Sequence, residues 1–478
     1  MFEESETKYA DRTDSLHASD VTDCAPDLES PPILAPPRVE TSSRTCSMLI
    51  SLLPAFIRPG GLTRKKKLSK TAYLDALRGW AAFIVVFYHS GRADGRPIWQ
   101  MPFVHLFDSG HGMVAIFFVI SGYVLSYRML TLMRKRDFTG LYNALASASF
   151  RRWFRLFLPT GLATLFVVFL TRTWILNPGP VERFDSIWYH LWHWFNDWLE
   201  SSNPLADIKG WWYPLVFRTV YLDQMWTIPV EYRGSMVLFL HCAICGRMAT
   251  RTRMLYTSLI IILCYYWQLV YVSLFLFGML IAESSLENMA AANTANNDDN
   301  NTLPTTKPWS KVPTRTAAIR NTLTTPVLFI LAIFFVSQPE NFGSNDHWPW
   351  PSLQRLVPNW WYPGSDEQFW VSFGAALLVF VLDRSPTLQK PLRWPISQYL
   401  GEISFGLYAV HLPIFWALDM GRIKPWVEAN ASHTAVVDTL TFAGLLVVIM
   451  WVADYFTRID RYFVRFGHWL QGRLFVQD

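Results

Sequence analysis

The chain has 478 residues, of which 51% are hydrophobic, 16% aromatic and only 17% charged, with a formal net charge of +5. A soluble protein carries about 25% charged residues, so this composition excludes an ordinary soluble globular protein. The modest surplus of cations gathers in certain loops, which reads as membrane topology rather than as a nucleic-acid footprint. What remains is an all-α, polytopic membrane protein. Five cysteines are too scattered for a disulfide framework. The C-x-x-C of Cys242 and Cys245 lies inside an apolar run without a second pair and reads as packing, not metal binding or redox chemistry. The histidines are dispersed, and no metal constellation is visible.

Residues 1–70 read as a disordered cytosolic tail, rich in Ser, Thr, Asp, Glu and Pro at first. An apolar stretch from Met48 to Ile57 follows, too short to span and broken by Pro54, which suits an interfacial segment. Arg64-Lys65-Lys66-Lys67 then holds the N-terminus in the cytosol by the positive-inside rule. About ten transmembrane helices follow, at 73–90, 112–132, 156–176, 227–246, 254–269, 270–284, 324–338, 368–383, 399–418 and 434–456. An even count returns the C-terminal tail, 461–478, to the cytosol. The loops this count places inside are all basic: Arg134, Lys135, Arg136, Arg151, Arg152 and Arg155; Arg247, Arg251 and Arg253; Lys307, Lys311, Arg315 and Arg320; Arg384, Lys390 and Arg393. The inside loop 285–323, with its Asn/Asp/Thr run, reads as a disordered insertion in a membrane domain of residues 71–460.

The outside loops differ. Residues 177–226 hold Trp188, Trp192, Trp194, Trp198, Trp211 and Trp212, and residues 339–367 hold Trp348, Trp350, Trp360 and Trp361. Such rings form aromatic belts at the interface or a flat cap over an acceptor. Asn430-Ala431-Ser432, in an outside loop, is a glycosylation sequon. Asn300-Asn301-Thr302 is a second, in the inside insertion.

The first span carries Asp75, Arg78 and His89, and ionisable groups inside a membrane segment are functional candidates by default. Arg78 and His89 are eleven positions apart, which returns to within about 20° of one helix face at a separation of about 16 Å. One helix therefore points a permanent cation and a titratable base into one interior at two depths, as a transporter or a catalytic helix would.

Further polar groups sit where lipid should be. Ser121-Gly122 lies midway along the second span, where small residues also serve close packing. Arg152 and Arg155, in the loop before the third span, share one face of a starting helix. Their guanidinium forks suit phosphates, although topology signalling alone explains such cations. Glu231 opens the fourth span and needs a partner from another helix, because Arg233 at i+2 does not share its face. Ser404, Tyr408 and His411 follow i, i+4, i+7 and line one polar stripe.

Together these motifs resemble the membrane acyltransferase-3 family, ten-helix O-acyltransferases. The resemblance covers roughly residues 70–460. It rests on Leu74-Asp75-Ala76-Leu77-Arg78-Gly79 with His89, on Phe117-Phe118-Val119-Ile120-Ser121-Gly122, and on Arg152 with Arg155. Trp226-Thr227-Ile228-Pro229-Val230-Glu231 and Ser404-Phe405-Gly406-Leu407-Tyr408 with His411 complete it. The Pro-Val-Glu-Tyr-Arg-Gly-Ser version looks like the fungal branch. The resemblance implies an acyl-CoA donor, most simply acetyl-CoA, on the cytosolic side, a hydroxyl acceptor on a small molecule or glycan, and no permanently bound cofactor. It implies Arg152 and Arg155 on the CoA phosphates, and Arg78 on the end of the pantetheine arm or the thioester carbonyl. His89 would be general base, oriented or charge-balanced by Glu231. His411 would be a second base or acyl carrier, and Tyr408 and Ser404 would stabilise the oxyanion. The rival reading is a transporter using buried Arg, Glu and His as an ion path. Transporters often show repeat symmetry, and no repeat between the halves is visible here.

Overall fold

In the computed structural model of the protein, residues 53–476 are described, apart from 59–60, 63–67, 94–95, 178, 204–218, 302–314, 341–347, 362–366 and 431–434. The expected cytosolic tail up to residue 52, the Arg64–Lys67 cluster, Trp211 and Trp212 lie outside these residues. Both sequons run into residues outside them. The chain is all-α. Its longer helices are α1 (Ala72–Tyr88), α2 (Gly110–Lys135), α3 (Phe138–Arg172), α4 (Ile187–Ser201), α5 (Thr227–Cys245) and α6 (Thr250–Tyr266). They continue with α7 (Val270–Asn301), α8 (Arg315–Val336), α9 (Glu367–Arg384), α10 (Pro395–Ile414) and α11 (Ala435–Leu474).

Local chemistry sets several ends. Arg136 adopts φ 58° and closes α2 in the left-handed region, while the Asp137 carboxylate accepts from Gly140 N–H and caps α3, as an Asp at an N-cap does. After α1 the chain turns at Gly91, φ 63°, a conformation glycine adopts without a steric cost. A π-helical stretch, Phe415–Ile423, joins α10 to a short helix at Lys424–Asn430.

Five described helices are long and apolar enough to cross a membrane: α2, α3, the Val270–Ala291 part of α7, Pro395–Asn430 and α11. Gln368–Arg384 with Pro386–Arg393, bent by 98°, makes a sixth if taken as one span. The protein is thus a multi-pass membrane protein. The other spans expected from sequence are helices, but shorter or more polar ones. Helices α1 and α6 have 17 residues each, and α5 has 19 but includes Glu231 and Arg233. Positions spent on buried polar groups lower a helix's hydropathy, and those same groups build the interior described below.

Two pairings hold the bundle centre. Helix α2 runs along α7, and α1 along α10. Both approach at glycine. A Cβ on Gly122 would lie 2.1 Å from Phe275 O, and one on Gly278 2.2 Å from Val119 O. A Cβ on Gly79 would lie 2.3 Å from Gly401 N, so two helix backbones touch there. Small residues at helix contacts are how membrane bundles gain van der Waals packing without a hydrophobic driving force. Buried charges are paired. Glu283 of α7 meets Arg134 of α2 at 2.6 Å and Arg253 of α6 at 2.9 Å. Asp383 accepts the hydroxyls of Tyr73 and Tyr123 at 2.9 and 3.0 Å.

Three boundaries differ from the sequence expectation. The third span does not start after a loop holding Arg152 and Arg155: α3 is one helix of 35 residues and both arginines lie within it. Helix α7 runs past residue 285 to Asn301, and α11 continues through residues 457–474. Polar composition ends a membrane span without ending a helix, because most polar residues have a helix propensity within about 0.7 kcal/mol of alanine and can continue a helix outside lipid. The first tryptophan-rich loop contains α4, whose Trp194 and Trp198 rings donate to Thr164 Oγ1 and Phe157 O of α3, both at 2.9 Å. Its Trp188 and Trp192 are exposed.

Candidate functional site

Helices α1, α2, α3, α5, α10 and α11 enclose a cavity of about 390 Å³. Seven of the ten polar residues singled out by sequence line it: Arg78, Ser121, Arg152, Arg155, Glu231, Ser404 and Tyr408. Phe117, Phe118, Phe405 and Thr227 give it an apolar and hydroxyl lining.

The 3.6-residue period explains how separate helices converge. On α2, Gly122 faces α7 while its neighbour Ser121 faces the cavity, where its hydroxyl donates to Glu231 Oε1 at 3.0 Å. On α5, Glu231 finds its partner on another helix, as the i+2 spacing of Arg233 requires. Arg152 reaches the same Oε1 at 2.6 Å and also donates through Nε to Ser235 Oγ at 3.0 Å. Ser235 in turn donates to Glu231 O one turn back. Arg78 donates to Ser404 Oγ at 3.0 Å and lies 3.5 Å from Asp75 one turn away. Asp75 does not line the cavity; its carbonyl side packs against Gly401.

Two expected roles can be set beside this geometry. Arg152 is buried, with Nη2 on Glu231 and Nε on Ser235. A carboxylate at membrane depth needs a partner, and Arg152 is the cation that meets it among the described residues. Glu231, for its part, is held by Arg152 and Ser121 rather than by His89. Arg155, one turn on from Arg152, is exposed and lines the same cavity, with no hydrogen bond or ion pair among the described residues.

His89 and His411 do not line the cavity. They meet each other. His89 Nδ1 lies 3.3 Å from His411 Nε2, and the ring centroids are 5.0 Å apart. His89 Nδ1 also lies 3.0 Å from Val85 O, and His411 Nδ1 lies 3.0 Å from Leu407 O. A carbonyl oxygen can only accept, so each Nδ1 carries the proton in the neutral rings. That leaves His89 Nε2 with the lone pair, and His411 Nε2 with a lone pair aimed at His89 Nδ1–H. Tyr408 stands between pair and cavity. Its ring centroid is 6.0 Å from that of His411, and its hydroxyl meets Thr227 Oγ1 at 2.7 Å and donates to Gln224 O. Beyond the pair, Tyr88 OH and His111 Nδ1 reach Glu340 Oε1 at 2.6 and 3.4 Å.

Sequence reasoning missed one wall. Thr457, Asp460 and Arg461 of α11 line the cavity, with Glu402 of α10 paired to Arg461. They fall just past the apolar run 434–456, where the chain reads as an exit into the cytosol. The signal was there in Asp454 and Arg458, an i, i+4 pair 2.5 Å apart, the spacing of a continuing helix. The Glu340 network was missed too, since nothing in its loop has helical period.

Residues 71–458 match the acyltransferase domain family, Acyl_transf_3. The chain is 29% identical over 479 residues to the O-acetyltransferase PaAT-1 of Phomopsis amygdali, covering 90% of each chain. It is 23% identical over 399 residues to the acyltransferase R4 of a Phoma species, covering 72% of this chain and 82% of that one. Acyltransferase clz18 of Cochliobolus lunatus is 25% identical over 393 residues, covering 76% and 80%. No solved structure matches the chain.

Proposed function

We propose that this chain, which belongs to the membrane acyltransferase-3 family, moves an acetyl group from acetyl-CoA to a hydroxyl of a small molecule or glycan. The observation that carries the reading is the seam along α10. Ser404 and Tyr408 open on a cavity rich in arginine, and His411, one turn further, backs the free base His89.

The donor enters the cavity. Arg155 and Arg461, at its wall, hold phosphate oxygens as charge-assisted donors. Arg78 is held by Ser404 and, at about 16 Å from His89 along α1, contacts the pantetheine arm rather than the thioester carbonyl. The arm extends past Tyr408, which releases Gln224 O and turns its hydroxyl to the carbonyl oxygen as it becomes an oxyanion. His89 Nε2 takes the proton of the acceptor hydroxyl as its oxygen attacks the carbonyl carbon. The C–S bond then breaks, the ester leaves, and the proton passes from His89 to the CoA thiolate. While His89 is an imidazolium, its Nδ1–H is held by Val85 O and His411 Nε2. His411 is thus a positioning residue, a neutral counterpart of the carboxylate that often backs a catalytic histidine. Glu231 acts on the donor side, by fixing Arg152 in the cavity wall.

The membrane frame of this reading has about ten spans, α1, α5, α6 and α8 joining those long enough by composition, with both termini cytosolic. The basic inside loops support it. The test uses membranes holding the wild type or His89→Ala, given radiolabelled acetyl-CoA and candidate hydroxyl acceptors. Label reaching an acceptor only in the wild type is the expected result. Equal label in both would remove His89 from the chemistry.

A further inference from the structure

Arg384 ends α9 where two cavities meet. The interfacial arginines Arg134, Arg253, Arg458 and Arg461 each have a carboxylate. Arg384 has no ion pair among the described residues: its guanidinium donates to Ser284 Oγ at 2.5 Å and lies over the Phe380 ring, 4.2 Å from the centroid. The neighbouring Asp383 is turned to Tyr73 and Tyr123.

Two cavities meet at this point and share Phe380 as a wall. One, of about 600 Å³, has a mixed lining, with Ser285, Asn288, Thr324 and Arg384 on its polar side, Asp383 beside them, and Leu328 and Val381 on its apolar side. The other, of about 510 Å³, lies between α6, α7 and α9 and is lined by Leu255, Leu280, Phe373 and Leu377, with Ser258 and Ser284 its hydroxyl groups. Neither shares a residue with the reaction cavity. Leu255, on the wall of the apolar groove, is 74% exposed, so the groove opens sideways to the membrane.

We propose that these two cavities form one binding site for an anionic glycerophospholipid, its phosphate on Arg384 and one acyl chain in the groove against α6, α7 and α9. An unpaired guanidinium complements a phosphate, which it can meet with two parallel N–H bonds. Basic pockets between membrane helices hold lipid headgroups by this chemistry. The apolar groove supplies what a free anion would not use.

The test follows thermal unfolding of the full-length protein in detergent by tryptophan fluorescence, with added dioleoyl phosphatidylserine, dioleoyl phosphatidylcholine or inorganic phosphate. A lipid that binds only the folded state raises the unfolding temperature. The expected result is a shift of a few °C larger with phosphatidylserine than with phosphatidylcholine in the wild type, and no such difference in Arg384→Gln. Should Arg384→Gln fail to fold, Phe380→Leu removes the ring beneath the guanidinium, keeps the groove apolar, and is expected to lose most of the difference. The proposal is overturned if the difference persists in full in the variant, if the wild type shows none, or if inorganic phosphate alone reproduces the shift.

Discussion

Two polar regions lie one helical turn apart in this bundle, and they are held by opposite means. In the cavity, Glu231 is matched with Arg152 and Arg461 with Glu402, while Arg155 stands on the wall with no ion pair among the described residues. In the histidine pair, His89 and His411 are held by backbone carbonyls and by each other, with no carboxylate hydrogen-bonded to either ring among the described residues. On the proposed mechanism the difference separates two tasks. Matched charges fix arginines in a polar wall that suits an anionic donor. Neutral partners leave one imidazole lone pair uncommitted, which is what a base requires. A carboxylate bonded to His89 would raise its proton affinity, and a carbonyl does so less.

The sharpest way to break this comparison is to remove the base. His89→Ala is expected to lower acetyl transfer by about 10²–10⁴-fold while leaving acetyl-CoA affinity near the wild-type value, measured by transfer rate and by binding of a non-hydrolysable acyl-CoA analogue. His411→Ala should cost less, and His411→Gln, which offers an acceptor to His89 Nδ1–H, should recover part of the loss. Equal loss in Ala and Gln would sink the positioning role.

On the cavity side, Glu231→Ala strands the buried Arg152 guanidinium. Removing one member of a buried ion pair costs about 3–5 kcal/mol, so the unfolding temperature in detergent should drop well below that of His89→Ala. A double variant, Glu231→Ala with Arg152→Leu, should regain part of that stability. If it does not, the pair is not what holds α3 to α5.

Arg155→Ala tests the donor side with less structural burden, because Arg155 makes no hydrogen bond or ion pair among the described residues and acts on Asp460 only at longer range. Losing one hydrogen bond to a charged group costs about 1.5–3 kcal/mol, so KM for acetyl-CoA should rise by about 10–100-fold with kcat changed little. An unchanged KM would shift the phosphate site elsewhere in the cavity.

Much of this site is readable in one dimension because helical period carries it. Ser404, Tyr408 and His411 fall on one stripe by spacing alone, and the structure brings the first two to the cavity and the third behind it. The need of Glu231 for a partner from another helix follows from the i+2 position of Arg233. What spacing does not carry is the choice among long-range partners. The sequence reading set Glu231 beside His89 and Arg152 on phosphates, and only the packing of α3 against α5 brings Arg152 to Glu231. The ends of α3, α7 and α11 were hidden for a different reason: hydropathy marks where lipid stops, and helices continue beyond it. That is why Asp460 and Arg461 escaped the sequence reading.

Tyr408→Phe probes the border between the two regions. It keeps the ring against His411 and deletes the hydroxyl that ties Thr227 to Gln224 O. Losing one oxyanion donor costs about 10²–10³ in kcat, so transfer should fall by that much, while the lost ground-state hydrogen bond costs only about 0.5–1.5 kcal/mol of stability. If Tyr408 also stabilises the oxyanion, the loss falls on kcat and not on KM. A loss confined to KM would make Tyr408 a wall residue only.

The smallest expected effect is at the rim. Arg461 and Glu402 form an ion pair whose side chains are 57% and 45% exposed, and such exposed pairs contribute about 0–1 kcal/mol to stability. Glu402→Gln should therefore leave the unfolding temperature unchanged, and by freeing Arg461 it should slightly lower KM for acetyl-CoA. Arg461→Ala should raise KM, by less than Arg155→Ala does, because solvent and salt screen the rim more than the wall. The two arginines would then differ in salt dependence as well: KM of Arg155→Ala should remain sensitive to ionic strength through Arg461, and KM of Arg461→Ala should be the less sensitive of the two. The reverse order would put the donor phosphates on α11, and Arg155 deeper along the arm.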